Sequence, residues 1–363
     1  MQNKLLKLFF ILIFPLLTFL NVLAADQFNF DVTKIEILEN GNKFIGSNRG
    51  NIISDNGLSI TADTFEYNKI SNILNTKGNI RINDPKKKYE IYAENVSYLK
   101  NQNKIFAKNK VKLIDNDKKT IFSDKLFIDL NKNVFVASDN VKIFDTVNNS
   151  QIISKKITYF KNQEKIITEG KTYSLINSRY NLETEDIVFD YIKKNIASKK
   201  NASITDKTKN ATYQINNFSL SIDNEVLKGE DILVKTNASK KYNDKYFVKK
   251  GIFDLKNQTF VTQDIEINLK KDLFGNDEND PRIKGVSSSK KDGITTVNKG
   301  IFTSCKKNKD CVPWSIQAEK VEYNENKKQI YYDNALLKIY NTPIIYFPKF
   351  FHPGPSVKRQ SGF

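Results

Sequence analysis

The chain of 363 residues carries 58 Lys and Arg against 41 Asp and Glu, a formal net charge of +17, with one His and two Cys. One imidazole and two thiols exclude the usual Cys/His zinc site and argue against a His-dependent acid–base enzyme. Hydrophobic residues at 39% with 12% aromatics exclude a disordered chain, and the basic excess is Lys scattered among Asn and Ile, with few Arg, which argues against a nucleic-acid partner.

The first element, residues 1–24, reads as a secretory signal peptide. Lys4 and Lys7 supply the positive start, Leu5 to Leu20 is almost wholly apolar, and Val22-Leu23-Ala24 supplies small residues for cleavage after Ala24 or Ala25. The apolar run is short for a stable span; an uncleaved N-terminal anchor is the alternative. No Cys follows it as a lipid acceptor, and after Asp26 no apolar stretch approaches the ~20 residues of a membrane helix. The rest of the chain is expected to be exported into an oxidising space.

Ile35/Ile37, Phe44/Ile45 and Ile52/Ile53 read as a shortened capping unit, ahead of a repeat. Six segments align: Ile60-Thr-Ala-Asp-Thr-Phe-Glu-Tyr67, Ile91-Tyr-Ala-Glu-Asn-Val-Ser-Tyr98, Ile121-Phe-Ser-Asp-Lys-Leu-Phe-Ile128, Ile152-Ile-Ser-Lys-Lys-Ile-Thr-Tyr159, Leu182-Glu-Thr-Glu-Asp-Ile-Val-Phe189 and Tyr213-Gln-Ile-Asn-Asn-Phe-Ser-Leu220. Their starts lie 31, 30, 31, 30 and 31 residues apart, the first, sixth and eighth positions are always apolar, and the third is small in five of six. A period of this size marks a stacked architecture in which each unit buries its apolar face on its neighbours.

The local period inside each unit is two, the mark of strands. Phe65/Tyr67, Val96/Tyr98, Leu126/Ile128, Ile157/Tyr159, Ile187/Phe189 and Phe218/Leu220 each place two bulky groups on one face. Gly78-Asn79, Asp139-Asn140 and Gly170-Lys171 read as turns, because Gly, Asn and Asp tolerate positive φ. The expected unit is two or three short strands, and the expected fold is all-β, an elongated stacked repeat over 25–299. Past Asn237 a seventh unit with an insertion is expected around Phe247 to Ile267, and Gly275–Pro281 and Ser287–Gly293 read as loops.

From Gly300 the character changes, and 300–363 reads as separate C-terminal strands. Cys305 and Cys311 suit a disulfide in an oxidising space, either as a local loop or with cysteines elsewhere. Trp314 reads as a core plug, and the Pro-bounded stretch at 343–355 as extended chain. No Ser/His/Asp order, phosphate loop or carboxylate cluster in register supports catalysis, and no cofactor or metal site is expected.

The repeat form "A-D/E-x-φ-x-Y" with "G-N-V-x-φ" (φ apolar) after a signal peptide resembles the OstA-like domain of lipopolysaccharide transport proteins. Phe302-Thr-Ser-Cys305, Pro313-Trp-Ser-Ile-Gln-Ala318, Asp333-Asn-Ala-Leu-Leu-Lys-Ile-Tyr340 with Thr342-Pro-Ile-Ile-Tyr-Phe-Pro-Lys-Phe-Phe-His-Pro353, and Ser356-Val-Lys-Arg-Gln-Ser-Gly-Phe363 resemble the junction to the outer-membrane β-barrel in the LPS-assembly (LptD) family. The soluble LptA and the tethered LptC share the repeats but lack that junction. The resemblance implies a β-jellyroll or taco fold, lipopolysaccharide as ligand, location at the periplasmic face of the outer membrane, and an N-terminal part of a longer protein whose barrel lies beyond residue 363. It implies that the N-terminal cysteines bond to C-terminal ones. It also implies two partners: the bridge protein LptA, adding a strand to the edge near Ile35 to Ile53, and the outer-membrane lipoprotein LptE.

On that basis Phe65, Tyr67, Val96, Tyr98, Leu126, Ile128, Ile157, Tyr159, Ile187, Phe189, Phe218 and Leu220 are expected to line an apolar groove for acyl chains, each CH₂ contributing about 0.8 kcal/mol when buried. Sugars and phosphates would project from its open side toward Lys residues. The competing expectations are an exported β-repeat scaffold, such as an adhesin-like stalk with a dry packed core, and a carbohydrate-active enzyme.

Overall fold

A computed structural model describes residues 28–353 apart from 117, 237–243, 270–278, 308–311 and 328. The expected signal segment, Cys311 and the closing Ser356–Phe363 lie outside the described residues. The described chain is all-β: 24 strands from Phe28–Leu38 to Thr342–Pro353 form one antiparallel sheet, and the only helical segments are the single 3₁₀ turns Glu39–Gly41, Lys100–Gln102 and Lys161–Gln163. Successive crossings pair as a long meander, in which Ser59–Ala62 with Thr64–Asn68, Tyr180–Glu185 with Val188–Asp190, and Asn195–Ser198 with Ala202–Asp206 are each the two halves of one crossing; the stack is roughly 100 Å long at ~4.8 Å per crossing.

The sheet is folded lengthwise along a crease, and the repeat pattern explains how. In Tyr89–Leu99 the buried residues are Tyr89, Ile91 and Ala93, then Val96 and Tyr98. The inward parity slips by one residue at Glu94-Asn95. The pairing to the neighbouring strand slips there too, from Tyr92↔Lys112 to Asn95↔Lys108. Such a bulge bends a strand without reversing it. Both halves of each strand therefore keep their apolar face inward, on opposite walls of a V.

Gly78-Asn79, Asp139-Asn140 and Gly170-Lys171 are these bulges. They lie inside the continuous strands Ile73–Asp84, Val134–Asp145 and Lys165–Ile176, so most units use long bent strands where the sequence suggested short ones; short strands divided at the crease occur at 59–68, 180–190 and 195–206. Positive φ is present as expected, at Gly78 (+76°), Asn79 (+43°), Asp139 (+64°) and Asn140 (+54°), but it makes a bend. Where the fourth motif position is acidic, as at Asp63, Glu94 and Asp124, its side chain bonds across the bend. Asp63 accepts from Asn79 at 2.7 Å, Asp124 accepts from Asn140 at 2.7 Å, and Glu94 pairs with Lys110 at 2.6 Å.

The chain reverses in two rows of turns, one at the free end of each wall. Asn72, Asn103 and Asn133 in one row, and Asn116, Asn149 and Asn210 in the other, take positive φ. Each turn also donates to the turn before it: Lys100 N–H to Asn72 O, Leu130 N–H to Asn103 O, Lys161 N–H to Asn133 O. This staircase satisfies turn groups that would otherwise need water.

Three further expectations change. The N-terminal unit is full length, with strands Phe28–Leu38 and Lys43–Ser54. Ser287–Lys291, read as loop, belongs to strand Arg282–Lys291; pairing on both sides and the Thr262–Ser288 hydroxyl bond of 2.6 Å outweigh the turn preference of Ser. The boundary expected at 299/300 falls inside strand Ile294–Thr303, which pairs onward to Trp314–Asn324, so the sheet continues through it.

Candidate functional site: the interior and its mouth

All twelve residues named above point into the V, and none is more than 5% exposed. They fill the interior. Tyr98 and Tyr159 are fully enclosed, Phe135 stacks on Tyr159 at 5.9 Å, and Phe189 packs on Tyr191 at 4.4 Å. The apolar interior is continuous from Phe28 to Ala335.

Both ends are stoppered by rings. At the first strand Phe28 meets Tyr67 at 4.9 Å and Tyr98 at 5.9 Å, and Phe30 stacks on Phe44 and Phe65 at 5.8 and 5.4 Å. At the other end Tyr332 and His352 each pack on Phe302 and Phe350 and on each other at 5.4–6.3 Å, and Trp314 lies 5.9 Å from Phe302. His352 Nδ1 contacts the Pro353 carbonyl at 3.0 Å, which can only accept, so that nitrogen carries the proton and the Tyr332 hydroxyl donates to Nε2 at 2.9 Å. Burial lowers the His352 pKa despite the Pro353 bond, so the neutral imidazole is the form that fits.

The side expected to be open is crossed by polar contacts between the two turn rows. Lys100 pairs with Asp55, and Asn56 donates to the Tyr98 hydroxyl at 3.2 Å. Lys87 donates to the Leu130 carbonyl at 2.6 Å. Lys161 pairs with Asp115, which also accepts from Tyr159 at 2.7 Å, and Lys119 pairs with Glu164 at 2.8 Å. The Lys119 ammonium also sits 4.3 Å from the Tyr191 ring centre, where burial, then the neighbouring Asp145 carboxylate, raises the phenol pKa. Arg179 grips Asp206 with two bonds of 3.0 and 2.6 Å and reaches Glu225 at 2.7 Å, while Tyr180 donates to Glu225 at 2.9 Å. Burial pushes the Asp206 carboxyl up, but bonds from Arg179, Thr208 and the Lys209 N–H outweigh it and hold the pKa below its ordinary value.

Among the described residues, Arg179–Glu225 is the last ion pair across the mouth. Beyond it a cavity of about 370 Å³ opens between the walls, lined inside by Tyr213, Tyr246, Phe253, Phe260 and Tyr323 and at its rim by Lys209, Asp244, Gln258, Lys290 and Glu325. Its size suits a small ligand pocket. Burial pushes the phenols of Tyr213 and Tyr323 up to about 12, so they act as neutral donors. The motif reading missed this cavity, although Phe253 and Phe260, facing each other on paired strands, carry its signal.

Cys305 is half-buried, with its thiol 3.7 Å from the Trp314 carbonyl; pairing with Cys311 lies outside the described residues. Among the described residues, the first strand pairs on one side only, with Ile35, Ile37 and Leu38 exposed, and so does the last, with Ile344, Ile345, Tyr346 and Phe351 exposed. Among the described residues no helix is long and apolar enough to cross a membrane.

No family profile and no curated protein matches the chain. Among solved structures, the chain is similar to LptH, the LptA homologous periplasmic component of the lipopolysaccharide transport device from Pseudomonas aeruginosa, at 14% identity and a TM-score of 0.28, over 31% of this chain and 82% of that one.

Proposed function

We propose that this chain is a lipid-shielding conduit of lipopolysaccharide transport in the periplasm. Its interior would take the acyl chains of a lipopolysaccharide-type glycolipid and leave the charged, sugar-bearing part at the mouth among Lys residues. The observation that carries the reading is the continuous apolar interior that ends in an aromatic-lined cavity of about 370 Å³. An apolar chain moved from water into such a space gains ~25 cal/mol per Å² of buried surface, which a polar ligand would not. The chain performs no bond chemistry in this reading. The exposed first strand offers backbone groups for strand addition by an LptA-type bridge protein; an LptE-type lipoprotein and an outer-membrane barrel would be met at the C-terminal side, in keeping with the junction motifs of the LptD family.

A dry scaffold is the second reading, and the tight packing of Tyr98, Tyr159 and Phe189 favours it. A photo-crosslinking residue placed at Tyr98, Phe189 or Phe253 and at the outward Ser97, in cells making lipopolysaccharide, separates the two. Adducts enriched at the inward positions support the conduit; equal yields at Ser97 and the inward positions leave the scaffold.

A further inference from the structure

The contacts across the mouth recur with a fixed offset. Asp55 to Lys100, Lys87 to Leu130, Asp115 to Lys161, Lys119 to Glu164 and Arg179 to Glu225 are 45, 43, 46, 45 and 46 residues apart. That is one and a half repeats, so each rung joins turns on opposite walls; the first three crossings fall about one repeat apart, the third carries two rungs from Asp115 and Lys119, and the last follows two repeats later. These are not ordinary surface pairs. The side chains of Lys100, Lys119 and Asp115 are 9%, 8% and 5% exposed, and Arg179 and Glu225 are 19% and 23% exposed; a charge buried in this way needs its partner in place. The interior has three ways out: two ends and the mouth. Among the described residues, rings fill both ends and rungs cross the mouth at intervals as far as Glu225; the facing turns 146–149 and 191–194 carry no rung and leave a polar pocket of about 290 Å³ walled by Asp145, Glu164 and Lys194, whereas the cavity by Tyr246 and Phe260 is lined by aromatic rings.

We propose that the ladder is a charge latch holding the walls together up to Glu225, and that an apolar chain crosses the mouth sideways at the unlatched cavity. The second half of this statement rests on the conduit reading; the latch does not. Because the rungs are separate, each opens only its own stretch of the interior. Interior sites under a rung are closed to solvent until that rung breaks, whereas the cavity is accessible in the resting chain.

The test uses the whole chain with both native cysteines changed to Ser and one new cysteine, Leu74→Cys, buried at the mouth end beside Tyr98 and the Lys100–Asp55 rung, or Phe253→Cys in the cavity, labelled by a water-soluble maleimide. The expected result is labelling at least tenfold faster at Phe253→Cys. Adding Lys100→Met is expected to speed Leu74→Cys about fivefold or more and leave Phe253→Cys within twofold. The swap Asp55→Lys with Lys100→Asp, which restores a pair but changes the packing of both side chains, is expected to return the slow rate. Equal rates at the two positions in the starting chain, or a rise at Leu74→Cys that the swap does not reverse, would overturn the latch. Purified lipopolysaccharide is added in a second arm. Protection of Phe253→Cys supports the sideways route, whereas no protection with the latch results intact removes that route and the conduit reading alone.

Discussion

Residues 28–225 and 226–353 are built by the same rule and differ at the mouth. In both, bent antiparallel strands carry an inward apolar face across a crease. In the first region ion pairs and hydrogen bonds tie the two turn rows together, Tyr98, Tyr159 and Phe189 are buried, and the pocket by Asp145 and Lys194 is polar. In the second, the walls hold a cavity among Tyr246, Phe253, Phe260 and Tyr323, closed on one side by Tyr213 from the end of the first region. The difference teaches that the apolar core makes the sheet fold over, while the charged groups on the turns decide how far it closes. Hydrophobic burial is non-directional; a rung between two fixed turns is not.

The comparison breaks most visibly in the core. Tyr159→Ala removes a ring enclosed on every side and is expected to cost ~3–5 kcal/mol, whereas Phe253→Ala, beside space already present, is expected to fall below that range. Chemical denaturation monitored by local hydrogen exchange checks this, because a long repeat array need not unfold as one unit. Equal losses would mean that the cavity is as well packed as the latched core.

Next in size is the last rung. Arg179→Gln leaves Asp206, 2% exposed, without its fork, and is expected to cost ~3 kcal/mol. Lys290→Met removes the rim pair with Glu325, on one side of the mouth, and is expected to cost ~1 kcal/mol or less. The same exchange measurement around 202–227 and 282–326 reads both.

Acid should act on both regions through different groups. The Asp206 pKa is lower folded than unfolded, so its contribution is complete above the ordinary carboxyl value of 3.8 and is lost as pH falls through the lower folded value. The first region is therefore expected to loosen in strong acid. The His352 pKa is also lowered, from 6.5. The unfolded chain binds the proton first, so the C-terminal end is expected to lose stability as pH falls below 6.5 and through the folded value. As the single His, it can be tested cleanly: His352→Gln should abolish the mildly acidic loss and leave the Asp206 loss, as followed by melting against pH. The smallest effect is expected at Lys110→Ala, whose crease pair with Glu94 is highly exposed; no measurable change in Tm is predicted.

Much of this fold is legible in the repeat. Apolar first, sixth and eighth positions, with a small third, are the inward residues of one strand, as Ile91, Ala93, Val96 and Tyr98 illustrate. The step from third to sixth hides the crease, since a residue such as Asn79 with positive φ suits a hairpin turn and a bulge alike. Which one forms depends on Asp63 in the neighbouring strand. The interior position of the twelve candidates follows from alternation, but their tight packing does not. The ladder leaves no local trace: Asp115 and Lys161 are 46 residues apart and look like solvated turn charges until the walls meet. Ser287 to Lys291 looked like loop because residue preference says nothing about pairing on both sides.

The most direct test of the two-region account is residue-resolved hydrogen exchange on the whole chain, with and without purified lipopolysaccharide. The account predicts that mouth-end amides of the first region, such as Leu113, Ile152 and Tyr180, exchange at least tenfold more slowly than Val234, Tyr246 and Phe260. It also predicts that lipopolysaccharide slows the second set and leaves the first unchanged. A uniform profile along the sheet that does not respond to lipopolysaccharide would contradict it.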